Sequence, residues 1–265
     1  MSYYDEIRRT NIIGMCRELI DSQSLRIRKS DGRLEMKTFI SSSNVWVHTK
    51  PTYRVNCLLW KNIIFGNVIR KLPREEWFVP PPCHKCFKVV VKPQTVKELF
   101  ALNDLQAEMQ VTSKAGLDLR RETFGNYAGY FYTGSISEGL ECYKEVREAV
   151  DDYHDLGSHV SVGLIRACTE YEYTMGPSDK WTLTPENLAF DDLLNQAFLT
   201  DFIVAKTSDL EAKNIYQEWI DHAYANGDPT VIDGPCGGNR NYPERVTYEH
   251  LITKTKGGGS DAILR

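Results

Sequence analysis

The sequence predicts an α+β fold: an N-terminal helix and antiparallel strands, followed by a mostly helical C-terminal half. Three observations predict it. Apolar residues recur at helical spacing within the first 21 residues. Short alternating segments follow, punctuated by glycine and proline, which is strand patterning. Beyond residue 184 the apolar residues return to helical spacing, with capping residues at the starts. Strands first and helices later favour α+β over an alternating α/β order.

Taken in order, residues 3–21 read as a helix, with Ile7, Ile12, Ile13, Met15, Cys16, Leu19 and Ile20 forming its apolar stripe. Leu25–Arg28 and Leu34–Lys37 alternate on either side of Ser30-Asp31-Gly32, a hairpin signal. Asn44–Thr49, Tyr53–Leu59 and Asn62–Gly66 read as further strands. Residues 71–82 form an irregular link that ends in three stiff prolines. Phe87–Lys92 is a β-branched strand closed by Pro93. Thr95, with Glu98 three residues on, caps a helix to about Gln110. Phe124–Thr133 is an aromatic strand, and Ser135 with Glu138 opens a helix to about Leu156. Val160–Thr174 fits strand or helix. Thr184-Pro185-Glu186 starts a helix to about Ile203, and Thr207 or Ser208 starts another to about Asn226. Pro229–Asp233 reads as a short strand. Residues 1–256 form one body, with a possible subdivision near 71–82 or 111–116, and 257–265 form a glycine-rich flexible tail.

Composition narrows the function. The chain has 265 residues, 42% hydrophobic and 26% charged, which suffices for a core without staples. The acidic, polar start is unlike a secretory signal, and no apolar run reaches the roughly 20 residues of a membrane helix. A cytoplasmic protein with no membrane association is therefore expected. The net charge of −4 is unevenly spread: residues 1–100 hold 18 Lys/Arg against 9 Asp/Glu, and the remainder 14 against 27. That pattern suits either a basic face for an anionic partner or two halves that neutralise each other. The chain contains no dinucleotide, P-loop, zincin, α/β-hydrolase or EF-hand motif.

Four segments carry candidate chemistry. Seven cysteines at irregular spacing argue against a disulfide framework. Cys83-His84-Lys85-Cys86 is a C-x-x-C turn that can aim two thiolates at one metal. Cys142 and Cys168 are the candidate remaining ligands, with His84, His154 and His159 as alternatives. An iron–sulfur cluster or zinc is the expected cofactor. The plainer alternatives are a redox dithiol, buried core thiols, and for Cys142 a helix-packing role.

Gly234-Pro235-Cys236-Gly237-Gly238 is a loop in which Cys236 is a candidate nucleophile. It reads equally as a surface turn. Phe124–Tyr132, preceded by Arg120-Arg121, could stack bases and contact phosphates or simply fill a core. Glu170 and Glu172 would share a face on a strand, and Glu170 is the first candidate for proton transfer. The leading expectation is a Cys-ligated metalloprotein, an enzyme acting on a small-molecule substrate. The alternatives are a nucleic-acid-binding protein with a structural metal, and a metal-free partner-binding protein.

Overall fold

The computed structural model describes residues 12–36, 45–50, 52–53, 58–200, 203–204 and 206–233. The part of the expected helix before Ile12, the expected loop around Cys236 and the expected tail at 257–265 lie outside the described residues.

The chain opens with helical turns α1 (Ile12–Met15) and α2 (Arg17–Asp21). Cys16 between them is fully buried, as a member of an apolar stripe should be. The hairpin follows as read: β1 (Leu25–Ile27) pairs antiparallel with β2 (Leu34–Met36). Gly32 supplies the positive φ of 75° at its bend. Two short strands come next, β3 (Trp46–His48) and β4 (Thr52–Tyr53).

The expected strand at Asn62–Gly66 is instead part of an eight-residue π-helix, Leu58–Phe65. Leu59, Trp60, Ile63, Ile64 and Phe65 are all buried there. A short apolar run buried all round satisfies its backbone equally well as strand or helix, so its spacing cannot decide between them. Two 3-10 turns, Ile69–Lys71 and Arg74–Glu76, lead to α3 (Pro81–His84), which has proline at its first position.

The centre of the chain runs β5 (Phe87–Lys92), α4 (Val96–Met109), β6 (Ser113–Leu117), β7 (Tyr127–Thr133), α5 (Ile136–Asp152) and β8 (Ser161–Arg166). This is a split βαβ order. The strands form one antiparallel sheet in the order β3-β6-β7-β5-β8. Residues 111–116 thus run into an inner strand of the sheet. Thr95 and Ser135 cap their helices by accepting from Glu98 and Glu138 N–H. Both glutamates reach back one residue further than a capping box requires, to the N–H of Gln94 and of Gly134.

The remaining elements are α6 (Thr169–Met175), α7 (Pro185–Ala197), β9 (Ile203–Val204) and α8 (Asp209–Ala225). Complete capping boxes open the last two helices, Thr184 with Asn187 and Ser208 with Glu211. Pro229–Asp233 forms a 3-10 helix rather than a strand. Asp228 ties it to α4 by accepting from Val96 N–H at 2.6 Å.

Helices α4, α5 and α8 cover one face of the sheet. Val89, Val91 and Phe131 pack there with Leu102, Leu105, Val146 and Val150, and Tyr127 packs with Phe100 and Trp219. Burying each such large side chain contributes about 1.5–3 kcal/mol. The opposite face carries Trp46, Lys88, Val90, Lys114, Tyr130 and Tyr132, since their registers place them together. A second core joins the N-terminal region, the π-helix, α6 and α7 through Trp60, Phe65, Tyr171 and Phe190. Among the described residues no helix is long and apolar enough to cross a membrane.

Candidate functional site

The polar centre of the molecule starts at the end of β6. Asp118 follows the last residue of that strand, and its N–H reaches Asn126 O at 2.7 Å, closing the loop that leads into β7. Its side chain is fully buried. Arg120, two residues on, turns back and donates from Nε to Asp118 Oδ1 at 2.7 Å and from Nη2 to Oδ2 at 3.0 Å. The Tyr130 hydroxyl projects from β7, donates to Asp118 Oδ2 at 2.5 Å and accepts from Arg120 Nη2 at 2.7 Å. Lys92, from the end of β5, adds a fourth donor at 3.2 Å. Burial alone would raise the Asp118 carboxyl, but the bonds from Arg120 and Tyr130 and the charges of Arg120 and Lys92 hold it well below the usual carboxylate range.

Arg120 also bridges outward. Its Nη1 meets both Glu170 oxygens at 3.2 Å, and Lys61 Nζ from the π-helix meets Glu170 Oε1 at 2.6 Å. Glu170 stands in the first turn of α6. Burial works against its charge, yet the Lys61 bond and the Arg120 charge lower its pKa. Glu170 is therefore an ionised anchor at neutral pH. The premise of a carboxylate pair with Glu172 on one strand face does not hold. Residues 169–175 are helical, and residues two apart on a helix do not share a face.

The Lys61–Glu170 pair borders a cleft of about 460 Å³ between the π-helix and α6. Phe65, Tyr171 and Tyr173 give it aromatic walls, and Arg70 and Glu122 add charge. A smaller hollow of about 270 Å³ shares Glu122 and Tyr173 and adds Arg121 and Glu172. Tyr173 is 78% exposed and Phe124, on the loop after Asp118, is 91% exposed. A π-helix bordering such a cleft fits the general tendency of π geometry to occur at functional sites.

The cysteines divide. Cys83 lies in α3, Cys86 directly before β5, and Cys168 at the N-terminus of α6. The register Phe87↔Arg166 brings the last two together, with Ala167 N–H bonded to Cys86 O at 2.7 Å. Cys83 Sγ meets the Tyr171 hydroxyl at 3.7 Å, and Lys88 Nζ meets Cys168 Sγ at 3.7 Å. Burial, then the neighbouring Cys168, raises the Cys83 thiol far above its ordinary value, with a smaller contribution from Cys86. Cys142 is elsewhere, on α5, packed with the core between that helix and the sheet. Burial, with Glu145 beside it, raises its thiol to about 11. Among the described residues no group of three or more His, Cys, Asp or Glu side chains could hold a metal ion.

The histidines are separate as well. Burial and Arg166 keep His84 below its ordinary pKa, and Arg166 donates to its Nδ1 at 3.2 Å. His159 faces Glu98 and His154 stacks on Tyr153. Cys236 lies outside the described residues.

The aromatic strand is split by its pleat. Tyr127 and Phe131 enter the helix-covered core, while Tyr130 is 3% exposed beneath Arg120 and Lys114. It offers no free ring face to a base here. Lys61 gave no local signal in the sequence, because its partner Glu170 lies 109 positions away; Asp118, although Arg120 is only two residues on, and Arg70 matched no motif. Compared with protein-family models, with curated proteins and with solved structures, the chain matches none of them.

Proposed function

We propose that this protein binds a small polar molecule in the cleft between the π-helix and α6. One observation carries the reading. Three segments distant in sequence deliver Lys61, Arg120 and Glu170 to one point beside a cleft with aromatic walls. A concave site with a few convergent polar groups and perturbed ionisation is the expected form of a small-molecule site. Its volume falls within the usual range of about 300–1,000 Å³. Glu170 orients Lys61 and, being ionised, acts by charge rather than by donating a proton. Gly66 lines the cleft, so Gly66→Trp fills it. A ligand-observed NMR screen of polar fragments should give hits on the wild type that disappear in Gly66→Trp at an unchanged unfolding midpoint. Hits that persist in that variant, or no hits at all, overturn the reading.

A second reading starts from the cysteine corner behind Tyr171. As they stand, Cys83, Cys86 and Cys168 do not form a metal-holding group, so zinc or an iron–sulfur cluster there would require these three thiols to draw together, with Cys142 outside. Metal binding would have to deprotonate these thiols, so affinity should rise with pH. Anaerobically purified protein should then carry stoichiometric metal, lost in Cys83→Ser and retained in Cys142→Ser. Metal-free protein removes this reading.

A further inference from the structure

The charges around the cleft divide into those that hold one another and those that do not. Lys61 and Glu170 bind each other, and Arg120 is divided between Asp118 and Glu170. Two lining charges remain. Arg70 lies over the Trp77 ring, 5.4 Å from its centroid, and has no carboxylate within salt-bridge distance among the described residues. Glu122 likewise has no ion pair or side-chain hydrogen bond among the described residues. Both line the one cleft, and they do not pair with each other.

A singly charged ligand would match one of these groups and leave the other unmatched, with any water it displaces from that charge uncompensated. A ligand carrying both signs satisfies both. The same cleft is lined by the aromatic residues Phe65, Tyr171 and Tyr173.

Resting on the cleft reading above, we infer that the ligand is zwitterionic: a free α-amino acid with an aromatic or large apolar side chain. Its carboxylate pairs with Arg70, its ammonium pairs with Glu122, and its side chain packs against Phe65 and Tyr173. Arg70 can hold a carboxylate through two parallel N–H bonds, a geometry that discriminates against a carboxamide.

Isothermal titration with four probes tests this: L-phenylalanine, its amide, its N-acetyl derivative, and adenosine monophosphate. L-Phenylalanine should bind, and the amide and the N-acetyl derivative should each bind at least about tenfold more weakly, the loss of one charged hydrogen bond. In Arg70→Gln the preference for L-phenylalanine over its amide should vanish while that over the N-acetyl derivative persists. In Glu122→Gln the reverse should hold. Equal or tighter binding of the N-acetyl derivative or the nucleotide overturns the zwitterion and leaves the cleft as an anion site. Failure of L-phenylalanine to bind also overturns it. The cleft reading itself falls only if the fragment screen fails too, so the two failures are distinguishable.

Discussion

Replacing Asp118 by alanine removes the acceptor on which three chain segments converge. The carboxylate has no solvent exposure and takes four donors, from Arg120 twice, Tyr130 and Lys92. Breaking a buried pair from one side costs about 3–5 kcal/mol, because the partner's charge is left without compensation. Here the partners keep some water, with Arg120 30% and Lys92 21% exposed, and Arg120 retains Glu170. A cost of about 2–4 kcal/mol follows, which for a chain of this size lowers the thermal midpoint by about 4–16 °C.

Thermal and urea unfolding followed by circular dichroism measure this cost. The pH dependence supplies a second signature. The folded-state pKa of Asp118 is depressed, so its contribution is present above the unfolded value of about 3.9 and is lost as pH falls towards the folded one. The gap between wild type and Asp118→Ala should be flat above about pH 5 and narrow below about pH 4. A loss under about 1 kcal/mol, typical of an exposed ion pair, would refute the account of a buried anchor.

Further outcomes follow from other parts of the fold. Burial, with Asp192 adjacent, raises Asp191 to about 6, so its ionisation costs stability as pH rises through that value. Asp191→Asn should therefore raise the midpoint at pH 7.5 by about 2–4 °C, equivalent to about 1 kcal/mol, and by less at pH 4.5, as calorimetry can show. Gly129→Ala places a methyl group 2.5 Å from Leu102 Cδ2, where α4 crosses the sheet. It should cost about 1–3 kcal/mol by overpacking, and neutral urea unfolding would contradict this. Thr95→Ala removes the acceptor for Glu98 N–H and should cost about 1 kcal/mol, while Thr95→Ser should restore most of it in the same assay.

The helix starts were legible in the sequence. Thr95, Ser135, Thr184 and Ser208 all stand at the N-caps of their helices. A cap is a bond between residues three apart, so a short window contains both partners. The Asp31-Gly32 hairpin was legible for the same reason. Ser113–Leu117 was not, since Ser-Lys-Ala-Gly-Leu has little strand propensity of its own. It is a strand because β3 and β7 pair on either side of it, and its small Gly116 lets the β3 backbone approach.

The site shows the same division. The sequence by itself singled out Glu170 and the Cys83-x-x-Cys86 turn as chemistry-bearing, and it determined that Thr169–Met175 would carry alternating carboxylates. Only the tertiary structure decided that Glu170 meets Lys61, 109 positions away, and Arg120, 50 positions away. Only the register of β5 against β8 set Cys168 beside Cys86 and left Cys142 on a helix face. Capping, turn chemistry and hydrophobic period are settled among residues a few positions apart. Ion pairs, strand neighbours and clefts are settled by which surfaces exclude water together, and that is a property of the whole chain.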